Sequence, residues 1–332
     1  MRNDQKIESD YSNLNPHEIL AALNTLKYKD NGQILALNSY ENRVYRVGLE
    51  SGENIVVKFY RPNRWSDSTI NEEHEFTKEL LNLGIPVIAP MTINRKTLHH
   101  FKSHRFSVWE CFGGRAPNLD NKDTLKRIGR LVGRMHLHGE IKKFDFRPDL
   151  NVETYGHESE KFLLDNMFIP IDLEDTYISI IDQLLDNIKI CFDYCGNYQN
   201  IRLHADLHPS NILTQGENIK IVDLDDARNG PAIQDLWMFI SGEKSDQQLQ
   251  FTSLLEGYEE FRNLNLKELH LIEALRTLRI MHYTAWIAKR WNDPAFKIAF
   301  PWFNTPRFWD EHILSLREQT SLMQEAPIDI SL

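Results

Sequence analysis

Apolar residues recur along this chain in two rhythms, and the dominant rhythm changes near residue 112. The first periodic segment is helical. Ile19, Leu20, Leu23 and Leu26 follow at the spacing that lines one helix face. Asn15 is placed to cap this helix, Pro16 suits its first position and Glu18 can answer the cap. From Gly32 onward the runs QILALNS, NRVYRVGLE and NIVVKFYRP are short and β-rich, punctuated by turn signals at Asn31-Gly32 and Ser51-Gly52-Glu53. They predict a three-stranded antiparallel meander. A helix is expected over residues 66–83, capped by Asp67 or Ser68, then two strand-like runs at 87–93 and 104–111.

Residues 112–117, FGGRAP, read as a hinge or linker. Helical periodicity then dominates, at 122–138, 159–164, 175–194, 247–262 and 266–291, and one β-rich island interrupts it at 201–226. No internal repeat or low-complexity segment breaks the pattern. The expected fold class is α+β with two lobes: a small β-rich N-terminal lobe over 1–111 and a larger helical C-terminal lobe over 112–332, hinged at 109–115.

Composition narrows the function classes. The 332 residues are 41% hydrophobic and 26% charged, as in a soluble globular protein long enough for two lobes. No apolar run approaches a membrane span, and the polar start MRNDQKIESDYSNLNP has no signal-peptide core, so a cytosolic protein without membrane contact is expected. A net charge of −10 repels phosphate backbones and argues against a nucleic-acid partner. Cys111, Cys191 and Cys195 fit neither a CxxC motif nor half a zinc site, and read as free thiols. The chain is expected to act as a monomer.

The chemistry concentrates in the island, IRLHADLHPSNILTQGENIKIVDLDDARNGPAIQDLW. Asn211 follows Asp206 by five residues, as in the catalytic loop of protein kinases. The apolar runs at 212–213 and 219–222 flank Gly216, so a hairpin is expected that would return Asp223 beside Asn211. Two such oxygens suit a hard cation such as Mg²⁺. Phosphoryl transfer needs a hydroxyl held in line and metal on the phosphate oxygens. Asp206 therefore fits the base that orients an acceptor hydroxyl, and Asn211 and Asp223 fit the metal ligands. The competing explanation is that Asp and Asn are ordinary turn formers. His204 reads as a loop-holding residue.

Lys58 ends the apolar run Ile55-Val56-Val57, where kinases place the lysine that holds the α- and β-phosphates. A solvated strand-edge lysine would be the plain reading of that position alone. Its candidate partner is Glu73, which shares a helix face with Phe76 and Leu80, with Glu72 as the alternative. No glycine-rich phosphate loop and no Walker A motif occur. Residues 37–42, LNSYEN, occupy the turn between the first two strands. Ser39, Asn42 and backbone N–H groups there are candidate phosphate ligands, against the simpler reading of a plain turn.

HADLHPSNIL followed by IVDLDDA resembles the aminoglycoside-phosphotransferase and choline-kinase superfamily of kinase-like enzymes. VVKFYRPNRW, INEEHEF, GRMH, VDLDDARNGPAIQDLW, YEEF and RWNDPAFKIAFPWF are similar, more specifically, to the bacterial stress-response serine/threonine protein kinases, over residues 15–325. That resemblance implies an ATP- and Mg²⁺-dependent kinase of protein-kinase-like fold, with Asp206 as base, Asn211 and Asp223 on Mg²⁺, Lys58 on the phosphates and Ser39 in the phosphate loop. It places backbone groups of Glu110 and Phe112 against adenine, and makes Asp235 a buttress of the catalytic loop. Eleven residues lie between Asp223 and Asp235, too few for a long activation loop. The acceptor is expected to be a protein Ser or Thr, with Ser9 and Ser12 as candidate sites of self-phosphorylation. The alternatives are a small hydroxyl compound (amino alcohol, sugar or aminoglycoside) or a nucleotide-binding pseudokinase that regulates a partner.

Two features have two readings. The C-terminal aromatics, Trp286 to Trp309, are helix packing or an acceptor wall. Arg228 pairs with an acidic neighbour or touches the acceptor. His99, His100 and His104 read as exposed hairpin histidines. The acidic stretch 172–186 reads as a solvated face.

Overall fold

The computed structural model describes residue 11 and residues 13–330. Ser9 and Ser12 lie outside the described residues. The chain divides into two compact units. The first runs to Arg115 and includes Leu213–Asp225 and Asn292–Phe296. The second comprises Ala116–Ile212, Asp226–Trp291 and the chain from Lys297 on. The single boundary expected near residue 112 thus becomes an interleaved one.

The first unit opens with α1 (Pro16–Thr25), whose cap forms as expected: Asn15 Oδ1 accepts from Glu18 N at 3.1 Å. The meander follows as β1 (Asp30–Ala36), β2 (Arg43–Leu49) and β3 (Asn54–Phe59). Then come α2 (Asp67–Asn82), β4 (His99–Phe101) and β5 (His104–Glu110). The five strands form one antiparallel sheet in the order β1-β2-β3-β5-β4. Side chains alternate across a strand. Ile55, Val57 and Phe59 face the core with α1's Ile19, Ala22 and Leu23, beside Phe106 and Val108 of β5.

Three local expectations are corrected here. The cap of α2 is Ser66, whose Oγ accepts from Thr69 N at 3.1 Å, rather than Asp67 or Ser68. Residues 87–93 form no strand. Pro86 and Pro90 each lack an N–H, and the segment makes only isolated bridges, Val87 to Ile221, Pro90 to Trp109 and Ile93 to Lys96. His99 and His104 are buried, and burial lowers the pKa of both; only His100 is exposed.

The second unit is mainly helical: α3 (Lys122–Gly139), α4 (Glu158–Asp165), α5 (Glu174–Cys195), α6 (Lys244–Tyr258), α7 (Ile272–Lys289) and α9 (Pro306–Leu322). The short α8 (Pro294–Ala299) precedes α9. Within the island lie β6 (Ile201–Leu203), the hairpin β7 (Ile212–Gln215) and β8 (Asn218–Ile221), and β9 (Arg228–Gly230). Helices α3 and α6 approach at backbone distance. A Cβ on Gly257 would lie 1.9 Å from Lys126 O, and one on Gly129 would lie 2.0 Å from Leu254 O. Of the C-terminal aromatic group, Phe296, Phe300, Phe303 and Trp309 are buried and Trp286, Trp291 and Phe308 half-buried, whereas Tyr283 and Trp302 keep exposed faces. Among the described residues no helix is long and apolar enough to cross a membrane.

Candidate active site

Lys58 occupies the face of β3 opposite its core residues, in register between Val44 of β2 and Ser107 of β5. It is only 7% exposed. An uncompensated buried ammonium costs several kcal/mol, so the site must supply negative charge. It does: Nζ lies 2.7 Å from Asp223 Oδ1 and 3.6 Å from Asp225 Oδ1. Burial pulls the lysine pKa down, but these two carboxylates outweigh it and hold Lys58 well above the usual lysine range. The group is therefore a cation at neutral pH. Glu73 is buried on α2, accepts from Thr77 Oγ1 at 2.9 Å and adds to the same field.

Asp223 follows β8 with φ 63°, in the left-handed region that Asp tolerates better than most residues. Its side chain is about half exposed (52%), which leaves a carboxylate edge open to a ligand. Asp225 was not singled out by the sequence, where it is one of three acids in VDLDDA. It is buried, pairs with Arg64, and accepts from Asn42 Nδ2 at 3.1 Å. Asn42 Oδ1 in turn accepts from Arg61 N at 3.1 Å. Asn42 is thus an anchor of the 37–42 turn in this structure. Ser39 lies in that turn, half-buried. Glu110 ends β5 opposite Ile55 and is exposed, and Phe112 follows it, half-buried.

In the second unit, the chain leaves β6 through His204 and Ala205 to reach Asp206. Ala205 has φ 67°, a conformation that costs an L-residue about 1–2 kcal/mol. Its peptide groups are held from both sides. Asp235 Oδ1 accepts from Ala205 N at 2.8 Å, and Gln234 Nε2 donates to Ala205 O at 2.8 Å. Asp235 Oδ2 accepts from His204 N at 2.8 Å and lies 3.1 Å from His136 Nε2. Asp235 is fully buried, so these bonds are shielded from water.

Asp206 is partly exposed and pairs with the guanidinium of Arg279 on α7 through Oδ1, while His208 Nε2 stands 3.7 Å from Oδ2. Asn211 Nδ2 donates to the Asp206 carbonyl at 2.9 Å. That bond turns the amide oxygen of Asn211 away, as a hard donor for a cation. Arg279 had no sequence signal: it sits in a helical run, LRTLRIMHY, without a local motif. Arg228 is buried and lies over the Tyr155 ring at 4.9 Å, and Tyr155 stacks on His282 at 4.0 Å. Burial pushes the Tyr155 phenol up, Arg228 opposes it, and Asp206 and Arg279 are both within electrostatic reach. The chain from Ala227 to Trp237 is buried throughout, so no loop between Asp223 and Asp235 is presented for modification.

A model of the phosphotransferase enzyme family matches residues 33–270, which contain Lys58, Asp206, Asn211, Asp223 and Asp235. The chain belongs to that family. It is 38% identical over 321 residues to stress response kinase A of Salmonella choleraesuis (strain SC-B67), covering 97% of each chain. It is equally similar, over the same share of both chains, to a serine/threonine protein kinase RdoA of Salmonella typhimurium (strain LT2). Among solved structures, amicoumacin kinase in complex with AMP-PNP, Ca²⁺ and its antibiotic superposes with a TM-score of 0.73. That likeness covers 94% of each chain at 20% identity and concerns the fold. The family resemblance and the α+β kinase-like fold read from the sequence are borne out, and the protein is an enzyme of the kinase type.

Proposed function

We propose that this phosphotransferase is an ATP- and Mg²⁺-dependent serine/threonine protein kinase. The observation that carries the reading is the similarity, over nearly the whole chain, to a relative named as such a kinase. In this reading Asp206 orients the acceptor hydroxyl and takes its proton through Oδ2, because Oδ1 is occupied by Arg279. Lys58 leaves its carboxylates to hold phosphate oxygens. Asp223 and the amide oxygen of Asn211 are the metal ligands; both are hard oxygens, one half exposed and the other turned free by its own amide bond. The metal would supply charge neutralisation on the phosphates. The adenine would meet the backbone at Glu110 and Phe112, and Ser39 would meet phosphate in the 37–42 turn.

A small-molecule kinase is the second reading. It is favoured by the fold shared with amicoumacin kinase and by the buried 227–237 segment, which offers no platform for an extended peptide. Against a cationic acceptor stands Arg279, which places a positive charge on Asp206 itself.

Labelled ATP, incubated with the enzyme, a generic protein acceptor and a panel of hydroxyl metabolites, separates the two. Phosphopeptide mapping is expected to find label on Ser or Thr, and Asp206→Ala is expected to lose it by a factor of roughly 10²–10⁴ while still binding nucleotide. Unlabelled protein beside a rapidly phosphorylated metabolite would overturn the protein-kinase reading. Full turnover by folded Asp206→Ala would remove Asp206 from its role.

A further inference from the structure

Two motifs quoted for the family resemblance, FYRPNRW and RWNDPAF, have no role in the proposed chemistry, yet their charged residues meet. Asn292–Phe296 follows α7 in sequence but packs in the first unit. There the Asp293 carboxylate is 9% exposed, and its Oδ2 accepts from Arg61 Nη2 at 3.0 Å and from Arg43 Nη2 at 3.1 Å. Its Oδ1 accepts from Ala295 N at 3.0 Å. Burial pushes the Asp293 pKa up, but the Ala295 N–H and the two arginines outweigh it and hold the group below its usual value.

Both guanidiniums also reach the 37–42 turn. Arg61 Nε donates to Glu41 O at 2.9 Å, Arg61 Nη2 to Tyr40 O at 3.2 Å, and Arg43 Nη1 to Tyr40 O at 3.2 Å. Phe296, fully buried, lies edge-on to Tyr40 at 6.5 Å and beneath Arg61 at 5.4 Å. In a planar trans peptide the C=O and the following N–H point in opposite directions. Fixing the carbonyls of Tyr40 and Glu41 therefore fixes the N–H groups of Glu41 and Asn42. Removing Asp293 would leave Arg61 with the Glu41 carboxylate, whose Oε1 lies 3.0 Å from Nε, but would take away the carboxylate that ties both guanidiniums together, so the pair would have less reason to hold one geometry over the turn.

We infer that Asp293 is a positioning residue for nucleotide phosphates, acting through Arg43 and Arg61 on the peptide planes of residues 40–42. The inference rests on the reading of that turn as the phosphate loop. Asp293→Asn keeps the size and removes the charge; Asp293→Glu keeps the charge. Amide exchange in nucleotide-free protein and the affinity for a fluorescent ATP analogue are both measured. Expected for Asp293→Asn are faster exchange confined to the 37–42 turn and about tenfold weaker nucleotide binding, equivalent to about 1.4 kcal/mol. Asp293→Glu should recover most of both. Should Asp293→Asn fail to fold, Arg43→Lys serves in its place, since Arg61 still holds Asp293. Unchanged affinity, or exchange that quickens across the whole sheet, would overturn the inference. Wild-type protein that binds no nucleotide would instead refute the kinase reading, and shows itself without any variant.

Discussion

Ala205 sits in a conformation that an alanine does not adopt by preference, immediately before the residue proposed to do the chemistry. The two backbone bonds to the Asp235 carboxylate outweigh that cost, since each hydrogen bond to a charged group contributes roughly 1.5–3 kcal/mol, and the neutral bond from Gln234 adds to them. Asp235→Asn tests the arrangement with minimal change of shape. An amide offers one oxygen to two N–H donors and turns an NH₂ toward the other. We expect kcat to fall by about 10²-fold, the scale of a misplacement near 1 Å, with the nucleotide KM changed little. Steady-state kinetics on protein of native circular dichroism is the check, and an unaltered kcat would show that the loop holds its shape without the clamp. The candidates Asp206, Asn211 and Asp223 could be proposed from sequence because their spacing is carried by one short stretch. Asp225, Arg279 and Asp293 could not, because each acquires its role only through a partner 70 or more positions away: Lys58, Asp206 and Arg61 respectively.

At the level of elements, periodicity located α1 to α7 but missed the short α8 and the long α9 (Pro306–Leu322), whose aromatic-rich start reads as a cluster rather than a helix face. The expected helix at 266–291 begins as a 3₁₀ turn, Leu266–Leu271, before α7. The run at 87–93 looked like a strand by composition, but Pro90 within it and Pro86 before it cannot donate to a ladder. The sequence also gives no hint that α3 and α6 meet through glycine, since a glycine in a helix reads only as a weak position. The structure supplies the reason. Gly257→Ala should improve intrinsic helix propensity by at most about 1 kcal/mol. The new Cβ would collide with the Lys126 carbonyl, a backbone atom that cannot swing aside, and overpacking of this kind costs about 1–3 kcal/mol. The collision should win, giving a net loss of stability. Urea unfolding followed by circular dichroism reads it as a lower midpoint at unchanged slope; a midpoint equal to or above wild type would mean that the two helices separate without penalty.

For the whole molecule, the two compact units, each with its own buried residues, make a single two-state unfolding step an unsafe assumption. The sequence placed one boundary between two contiguous lobes. The hairpin and the Asp293 segment carry no local mark of which core they join, so their membership in the first unit was not legible. That membership puts Lys58 and Asp223 in the same unit, and a ligand that binds both should stabilise that unit by mass action. A nucleotide at a hundred times its dissociation constant contributes about 2.7 kcal/mol, enough to move a melting transition by several degrees. We therefore expect a non-hydrolysable ATP analogue with Mg²⁺ to raise the transition more than the analogue with EDTA. Asp223→Ala should abolish the difference between the two, because it removes a proposed metal ligand. The unliganded fold should survive the change, since Lys58 keeps Asp225 as its counter-charge and the Asp223 side chain is half exposed. Calorimetric scans of both proteins under the two conditions decide the matter. A full Mg²⁺-dependent shift in Asp223→Ala would take the carboxylate out of the metal site, leaving its pairing with Lys58 as its only role.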